Sequence, residues 1–202
     1  MKLFQKSIPL LFFISVVAAF TAGAQSYSTP VYFNTDSIAT FRLTAINNTK
    51  QKFKKGALLS CYFFLSPDCP LCKNYAPAIT ALQEKYKSAA QFFLIVPGQS
   101  FTVAEIKKFS NGYLKKSVMY KDADLQVARY LHATVTPQAI LMETKTGKQV
   151  YAGALDNWAV SLGRQRAKAT ENYLQDAIES YLHHADPAIT YKEPVGCFIN
   201  DF

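Results

Sequence analysis

The chain has 202 residues, of which 50% are apolar and 18% are charged, and its formal net charge is +8. This composition is typical of a globular protein and excludes a disordered chain, a collagen-like polymer and a low-complexity segment. The length allows one domain with a full hydrophobic core, or at most two small domains. The positive charge is spread along the chain without a block of Lys or Arg, so we interpret it as a feature of solubility and expect no nucleic-acid partner.

Residues 1–24 have the pattern of a secretory signal peptide. A short basic start precedes an apolar stretch over 7–20, and Ala22 and Ala24 supply the small residues of a cleavage site. The apolar stretch is shorter than the ~20 residues that a membrane-spanning helix needs, which favours a cleaved signal over an uncleaved anchor. We therefore expect a periplasmic or secreted protein with no membrane span after cleavage, in a compartment where disulfides can form.

The rest of the chain predicts a lead-in, one domain and a tail. We assign residues 25–37 to a loosely held lead-in, 38–185 to the domain and 186–202 to a C-terminal tail that docks on it. Apolar runs predict strands and helical periodicity predicts helices. In chain order the predicted elements are a hairpin over 38–54, a central strand over 57–65, a helix over 70–86, a strand over 91–96, a helix over 102–110 that begins with a capping box of Thr102 and Glu105, a strand over 118–120, a helix over 123–132, a hairpin of strands 139–143 and 149–152, and a final helix over 165–184. This order predicts an α/β protein with a mixed central sheet flanked by helices on both faces.

The chemistry is predicted at Cys69-Pro70-Leu71-Cys72. Two cysteines at this spacing, at the start of a helix that follows a buried strand, are typical of a redox dithiol. Both sulfurs lie on the first helical turn, and the positive end of the helix favours a thiolate there. Pro70 suits the first helical position, where its missing N–H would have no partner. We therefore take Cys69 as the nucleophile and Cys72 as the resolving thiol, with the dithiol itself as the redox centre and no cofactor.

Three other interpretations of the dithiol are weaker. A zinc site needs a second pair of ligands, and the remaining cysteines and histidines do not repeat the spacing, so no metal is assigned. Haem attachment needs His at the position of Lys73. A purely structural disulfide is the strongest of the three, but so short a loop constrains little of the unfolded chain.

Two segments of the sequence resemble the thioredoxin family. The run from Cys69 to Lys73, with Ala76-Pro77 after it, resembles the active-site helix of thioredoxins, in which the proline kinks the helix. Thr136-Pro137 resembles the cis-proline loop of the same superfamily, which faces the dithiol and binds the substrate chain. The resemblance covers 38–185 and is greatest to exported bacterial thioredoxin-like or redoxin proteins of the thiol-disulfide oxidoreductase type.

This resemblance implies a thioredoxin-like fold and a thiol-disulfide oxidoreductase activity. It implies that Thr136 and Pro137 bind the substrate, with Pro137 cis, and that Pro70 and Pro77 support the helix. The expected partners are a protein thiol or disulfide as substrate and a redox partner protein.

The sequence departs from thioredoxins at two positions. Phe63 stands where thioredoxins carry a buried acid, which assists proton transfer from the resolving thiol. Asp68 stands where they carry Trp, and it either takes the place of the missing acid or, as we expect, serves as the N-cap of the helix. Its charge opposes thiolate formation at Cys69. The departure at Phe63 leaves open a non-catalytic, redoxin-like binding module.

Two further functions remain open. A thiol peroxidase of the peroxiredoxin type is suggested by Ser66-Pro67-Asp68-Cys69, with Arg129 as the candidate activating residue, although no Thr or Ser separates Pro67 from Cys69. A copper-delivery module would combine the dithiol with His132, although related copper chaperones space their cysteines one residue further apart.

The other two cysteines allow more than one pairing. Cys61 lies in the buried strand and is expected to be an inert core residue. Cys197 lies in the tail, so we expect a Cys69–Cys72 disulfide with the others free, or an additional Cys61–Cys197 pair, and a redox relay through Cys197 is a hypothesis. Trp158 with Tyr151 is a candidate apolar patch beside the Thr-Pro loop, with packing at the edge of the core as the alternative.

Overall fold

The computed structural model describes residues 30–46 and 56–200. The predicted signal peptide and residues 47–54 of the predicted hairpin lie outside these residues. Within them, no helix is both long enough and apolar enough to cross a membrane.

The described residues form five helices and eleven strands. The helices are α1 (Thr35–Thr40), α2 (Pro70–Lys85), α3 (Val103–Tyr113), α4 (Gln126–Tyr130) and α5 (Tyr173–Leu182). The strands are β1 (Thr44–Ala45), β2 (Leu59–Phe64), β3 (Ala90–Pro97), β4 (Met119–Asp122), β5 (Val135–Thr136), β6 (Gln138–Glu143), β7 (Gln149–Gly153), β8 (Ala159–Ser161), β9 (Arg164–Gln165), β10 (Tyr191–Lys192) and β11 (Cys197–Phe198). The predicted capping box of α3 is confirmed, because the Thr102 and Glu105 side chains each accept from the other residue's backbone N–H.

Seven strands form the central sheet, in the order β1-β4-β3-β2-β6-β7-β10. Strands β2, β3 and β4 are parallel, whereas β6 is antiparallel to both β2 and β7. The two outer strands come from opposite ends of the described chain. Strand β1 is antiparallel to β4, and β10 is parallel to β7. The sheet is therefore mixed, as predicted.

The central strands are apolar throughout because both faces of the sheet are covered. Leu59, Cys61 and Phe63 of β2 face one core, into which α2, α3 and α5 pack. Tyr62 and Phe64 face a second core, which contains residues of α1 and α4. The fold is thus α/β with helices on both faces, and the parallel unit followed by the antiparallel pair β6–β7 makes it thioredoxin-like, as the resemblance implies.

The N-terminal part of the domain differs from the prediction. Within 25–37, the described residues are held in place: Phe33 is buried and its N–H donates to the Gly147 carbonyl oxygen at 2.9 Å. The start of the hairpin predicted over 38–54 is wrong, because α1 extends to Thr40 and the strand that follows, β1, pairs with β4. Residues 47–54 of that prediction lie outside the described residues. The Asn34 side chain caps α1 by accepting from the N–H groups of Asp36 and Ser37, and this local cap outweighs the strand propensity of the residues that follow.

The final helix is shorter than predicted, because α5 begins at Tyr173 rather than at residue 165. The residues before it form the small pair β8–β9 and a loop. The Asn157 side chain holds that loop by accepting from the N–H groups of Thr170 and Glu171, at 2.9 and 3.2 Å. These N–H groups are therefore satisfied outside a helix. The predicted helix over 123–132 is likewise only α4, at 126–130.

Candidate functional site

The two cysteines of the dithiol lie at the junction of β2 and α2. Pro70 is the first residue of α2, as predicted, and Cys69 is its N-cap. The expected N-cap role of Asp68 is wrong, since Asp68 lies one residue before the cap and accepts from the Ser66 hydroxyl instead. Pro77 lies inside α2, which continues past it to Lys85. Both thiols are buried, with Cys69 1% and Cys72 0% exposed.

The Thr136-Pro137 loop lies against the dithiol, 67 residues from Cys69 in sequence. The peptide bond between Thr136 and Pro137 is cis, as the resemblance implies. The Cys69 thiol donates to the Thr136 carbonyl oxygen at 3.2 Å. The structure thus brings Cys69, Cys72, Thr136 and Pro137 into one site.

A third cysteine completes the site from the C-terminal tail. Strand β11 pairs antiparallel with β5, so that Cys197 is the register partner of Thr136. The Cys197 thiol donates to the Cys69 sulfur at 2.7 Å. All four cysteines are free thiols, and Cys61 is fully buried in β2. The alternative Cys61–Cys197 pair is wrong, because Cys197 lies beside Cys69.

The three thiols of the site have unequal acidities. The pKa of Cys69 is lowered to about 5, first by a hydrogen bond from the Cys72 thiol and next by one from Cys197, while burial opposes both. Burial, followed by the hydrogen bond to Cys69, raises the pKa of Cys72 well above its usual value. The same two causes raise the pKa of Cys197 to about 12. Cys69 is therefore the most acidic thiol of the cluster, and the thiols of Cys72 and Cys197 are its hydrogen-bond donors when it ionises.

The departure at Phe63 leaves the strand before the dithiol apolar. Phe63 is fully buried in the core that also contains Cys72, and its ring stacks on Phe92 with centroids 6.3 Å apart. Where a carboxylate would face the Cys72 sulfur in thioredoxins, a backbone group contacts it here, since the Ser66 N–H donates to it at 3.3 Å. This contact favours the Cys72 thiolate and acts against the effect of burial.

A cavity of about 400 Å³ opens beside Pro137, between α2, the residues after β7 and the tail. The Tyr75 hydroxyl at its edge donates to Asp156 at 2.6 Å, and Trp158 packs edge-on against the Tyr75 ring. Trp158 therefore supports the Tyr75 ring, which lines the cavity, without lining the cavity itself. The prediction that Tyr151 forms a surface patch with Trp158 is wrong, because Tyr151 is 0% exposed.

The residues considered for other chemistries lie elsewhere. Arg129 and His132 are exposed and line a shallow groove with Phe33, on the side of the sheet opposite α2. The His132 ring contacts Phe33, with centroids 6.1 Å apart. Among residues 30–46 and 56–200, no group of three or more His, Cys, Asp or Glu side chains has the arrangement of a metal site.

Comparison with known proteins identifies the fold. No protein-family model matches the sequence. No curated protein matches it either. Two solved structures are similar over most of the chain. An uncharacterized conserved protein from Geobacillus kaustophilus has a TM-score of 0.66 and 18% identity, with 79% of this chain and 87% of that one covered. A hypothetical protein from Sinorhizobium meliloti has a TM-score of 0.63 and 21% identity, with 72% and 81% covered.

A secreted disulfide oxidoreductase from Mycobacterium tuberculosis is more distant, with a TM-score of 0.47, 16% identity and coverage of 71% of this chain and 95% of that one. At these identities, the two closer likenesses show a shared fold. The chain is a protein of the thioredoxin-like fold.

Proposed function

We propose that the protein is an exported thiol-disulfide oxidoreductase that exchanges electrons with protein thiols and disulfides. The observation that carries the proposal is the position of Cys69, which is a buried N-cap thiol with a lowered pKa facing the cis-proline loop. A thiolate is the nucleophile of disulfide exchange, and this site stabilises one. Export rests on the pattern of residues 1–24.

In the reducing direction, the Cys69 thiolate attacks one sulfur of a substrate disulfide. A mixed disulfide forms and the first substrate thiolate leaves, taking up a proton. Cys72 then loses its proton and attacks the Cys69 sulfur, which releases the second substrate thiolate. The protein is left with a Cys69–Cys72 disulfide, and a redox partner must reduce it. Oxidation of a substrate dithiol follows the same steps in reverse.

The substrate chain binds at β5 in this proposal. Backbone groups of Thr136 lie next to Cys69, so an extended segment paired with β5 would present its sulfur to the nucleophile. In this proposal, deprotonation of the Cys72 thiol is the slow step, because Phe63 supplies no carboxylate to accept the proton. The Ser66 N–H stabilises the Cys72 thiolate in place of such a group.

The test is the reduction potential of the Cys69–Cys72 pair, measured in glutathione buffers in a Cys61→Ser/Cys197→Ser protein. A potential near about −270 mV would indicate a reductant like thioredoxin, and one near about −120 mV would indicate an oxidant of folding proteins. Turnover of a protein disulfide that is lost in Cys69→Ser would confirm the assignment. A pair that cannot be cycled in this range would overturn it.

A further inference from the structure

We propose that Cys197 is a third redox-active cysteine and that the tail strand β11 occupies the place of a substrate strand at β5. In this arrangement Cys69 forms a disulfide with either Cys72 or Cys197, and the two disulfides interconvert. The inference rests on the proposed function, because it requires Cys69 to be reactive.

Strand pairing presents Cys197 to the nucleophile. Cys197 and Phe198 pair with Thr136 and Val135, and the Ile199 N–H continues the pairing by donating to the Thr134 carbonyl oxygen at 3.0 Å. The Cys197 sulfur thereby lies 2.7 Å from that of Cys69. The tail thus makes with Cys69 the contact that the proposed function assigns to a substrate sulfur.

Two glycines make the close approach of the tail feasible. A Cβ atom on Gly196 would lie 2.3 Å from the Thr136 carbonyl oxygen, and one on Gly153 would lie 1.8 Å from the Lys192 carbonyl oxygen. Both contacts are far below the separation that a side chain tolerates. The tail is further held by the Ala154 N–H, which donates to the Lys192 carbonyl oxygen at 2.9 Å. Residues of the domain and of the tail are therefore both adapted to this docking.

The exchange needs no external oxidant or reductant. In the oxidised protein, the Cys197 thiol loses its proton and its sulfur attacks the Cys69 sulfur. The Cys69–Cys72 bond breaks, the Cys69–Cys197 bond forms, and Cys72 leaves as a thiolate that takes up the proton. The number of disulfides is unchanged.

The docked tail also controls access to the dithiol. Cys69 is 1% exposed with the tail in place. A protein substrate that pairs with β5 must displace β11 first, so substrate and tail compete for one strand position. The Cys69–Cys197 disulfide fixes the closed form, and exchange back to Cys69–Cys72 frees the tail.

The experiment uses glutathione and its disulfide as probes on a Cys61→Ser/Cys72→Ser protein, which retains Cys69 and Cys197. We expect an intramolecular Cys69–Cys197 disulfide, seen as a loss of two hydrogens by mass spectrometry and as a cross-linked peptide. The glutathione adduct at Cys69 should be at least tenfold less abundant. A Cys61→Ser protein with both partners present should show both disulfide isomers after oxidation and acid quenching.

Matched glycine variants test whether strand docking is responsible. Gly196→Ala, added to the Cys61→Ser/Cys72→Ser protein, should shift the product at least tenfold towards the glutathione adduct. Gly112→Ala is the control, because a Cβ atom there meets nothing within 4 Å. It should leave the product unchanged.

Each other outcome has a distinct meaning. A dominant glutathione adduct with Gly196 intact would overturn the inference and leave the proposed function standing, since Cys69 would still be reactive. Equal products from Gly196→Ala and Gly112→Ala would overturn the role of the strand. A single Cys69–Cys72 isomer in the Cys61→Ser protein would overturn the exchange with Cys72. If Cys69 formed no disulfide and no glutathione adduct, both the inference and the proposed function would be overturned.

Discussion

Thr136 and Cys197 are register partners between β5 and β11, and the Thr136 hydroxyl donates to the Cys197 carbonyl oxygen at 3.4 Å. The Thr136 carbonyl oxygen accepts from the Cys69 thiol. One residue of the cis-proline loop therefore contacts both the candidate nucleophile and the strand that covers it. Any movement of the tail away from Thr136 also removes a thiol donor from Cys69.

The first prediction concerns the ionisation of Cys69 in the reduced protein. Thiolate absorbance in the ultraviolet should rise with a midpoint near pH 5, because that is the lowered pKa of Cys69. Cys197→Ala should raise the midpoint, since it removes one of the hydrogen bonds that lower this pKa. Cys61→Ala is the control, because burial raises the pKa of Cys61 and keeps it protonated in this range.

The ionisation of Cys69 should also make the free energy of unfolding of the reduced protein depend on pH. A folded pKa of about 5 against an ordinary value of 9.0 means that the unfolded chain binds more protons between these pH values. The Cys69 contribution is therefore complete above about pH 9 and is lost as the pH falls to about 5. Urea unfolding of the reduced protein should show its stability advantage over Cys69→Ala shrinking across that range, and a constant difference would contradict the assignment.

The second prediction concerns Gly153, which has φ of +127° and lies against Lys192 of the tail. Gly163 also has positive φ, +79°, but a Cβ atom there meets nothing within 4 Å. Gly163→Ala should cost about 1 kcal/mol for the left-handed backbone alone. Gly153→Ala should cost more, because it also forces the Lys192 carbonyl away.

Urea unfolding measures both costs, and limited trypsin digestion at Lys192 reports release of the tail. Cleavage at Lys192 should accelerate in Gly153→Ala and not in Gly163→Ala. Equal costs with equal cleavage rates would show that the tail does not depend on the close approach at Gly153.

The site was easier to predict from the sequence than the docking of the tail. The dithiol, the start of α2 at Pro70 and the loop at Thr136-Pro137 are specified by short local patterns. The position of Cys197 depends on a pairing between residues 61 apart, and no local pattern specifies that partner. Gly196 was the available signal, but a glycine does not reveal which carbonyl oxygen it approaches.

The errors in secondary structure have a similar origin. The start of α5 depends on Asn157, which is 14 residues from its hydrogen-bond partner Glu171. The start of α1 depends on the Asn34 cap, inside a segment that reads as polar lead-in. The strands were predictable because burial on both faces leaves continuous apolar runs.

The third prediction concerns Asp122, which is 1% exposed. Its carboxylate accepts from three backbone N–H groups at the start of α4, those of Gln126, Val127 and Ala128, at 2.9, 3.0 and 2.9 Å. Asp122→Asn replaces one acceptor oxygen by an NH₂ group that faces N–H donors, which should cost about 1–3 kcal/mol. Asp124→Asn is the control, because Asp124 is exposed and its replacement should change stability by less than about 0.5 kcal/mol.

The pH dependence of the Asp122 contribution has a defined sign. Burial raises the pKa of this carboxyl above 3.8, although the three N–H donors oppose the rise. The folded state therefore holds the proton more tightly than the unfolded state, and this term weakens stability as the pH rises through the folded pKa. Urea unfolding of the unsubstituted protein and of Asp122→Asn should show that the loss in free energy of unfolding decreases as the pH rises through the folded pKa of Asp122. A loss that increases over this range would reverse the assigned sign.

The fourth prediction concerns Tyr75, which links α2 to the wall of the cavity beside Pro137. Its hydroxyl donates to Asp156 and accepts from the Ala159 N–H at 3.3 Å. Tyr75→Phe keeps the ring that Trp158 packs against but removes both bonds, at a cost of about 1 kcal/mol each or less. Because these bonds hold the cavity wall, KM for a protein disulfide should rise while kcat changes little.

Tyr113→Phe is the matched control, since Tyr113 lies exposed at the end of α3. It should leave the free energy of unfolding and both kinetic constants unchanged. Urea unfolding and steady-state turnover measure these quantities. A loss of kcat in Tyr75→Phe with KM constant would place the effect on the dithiol itself, and no change in either constant would exclude this wall from substrate binding.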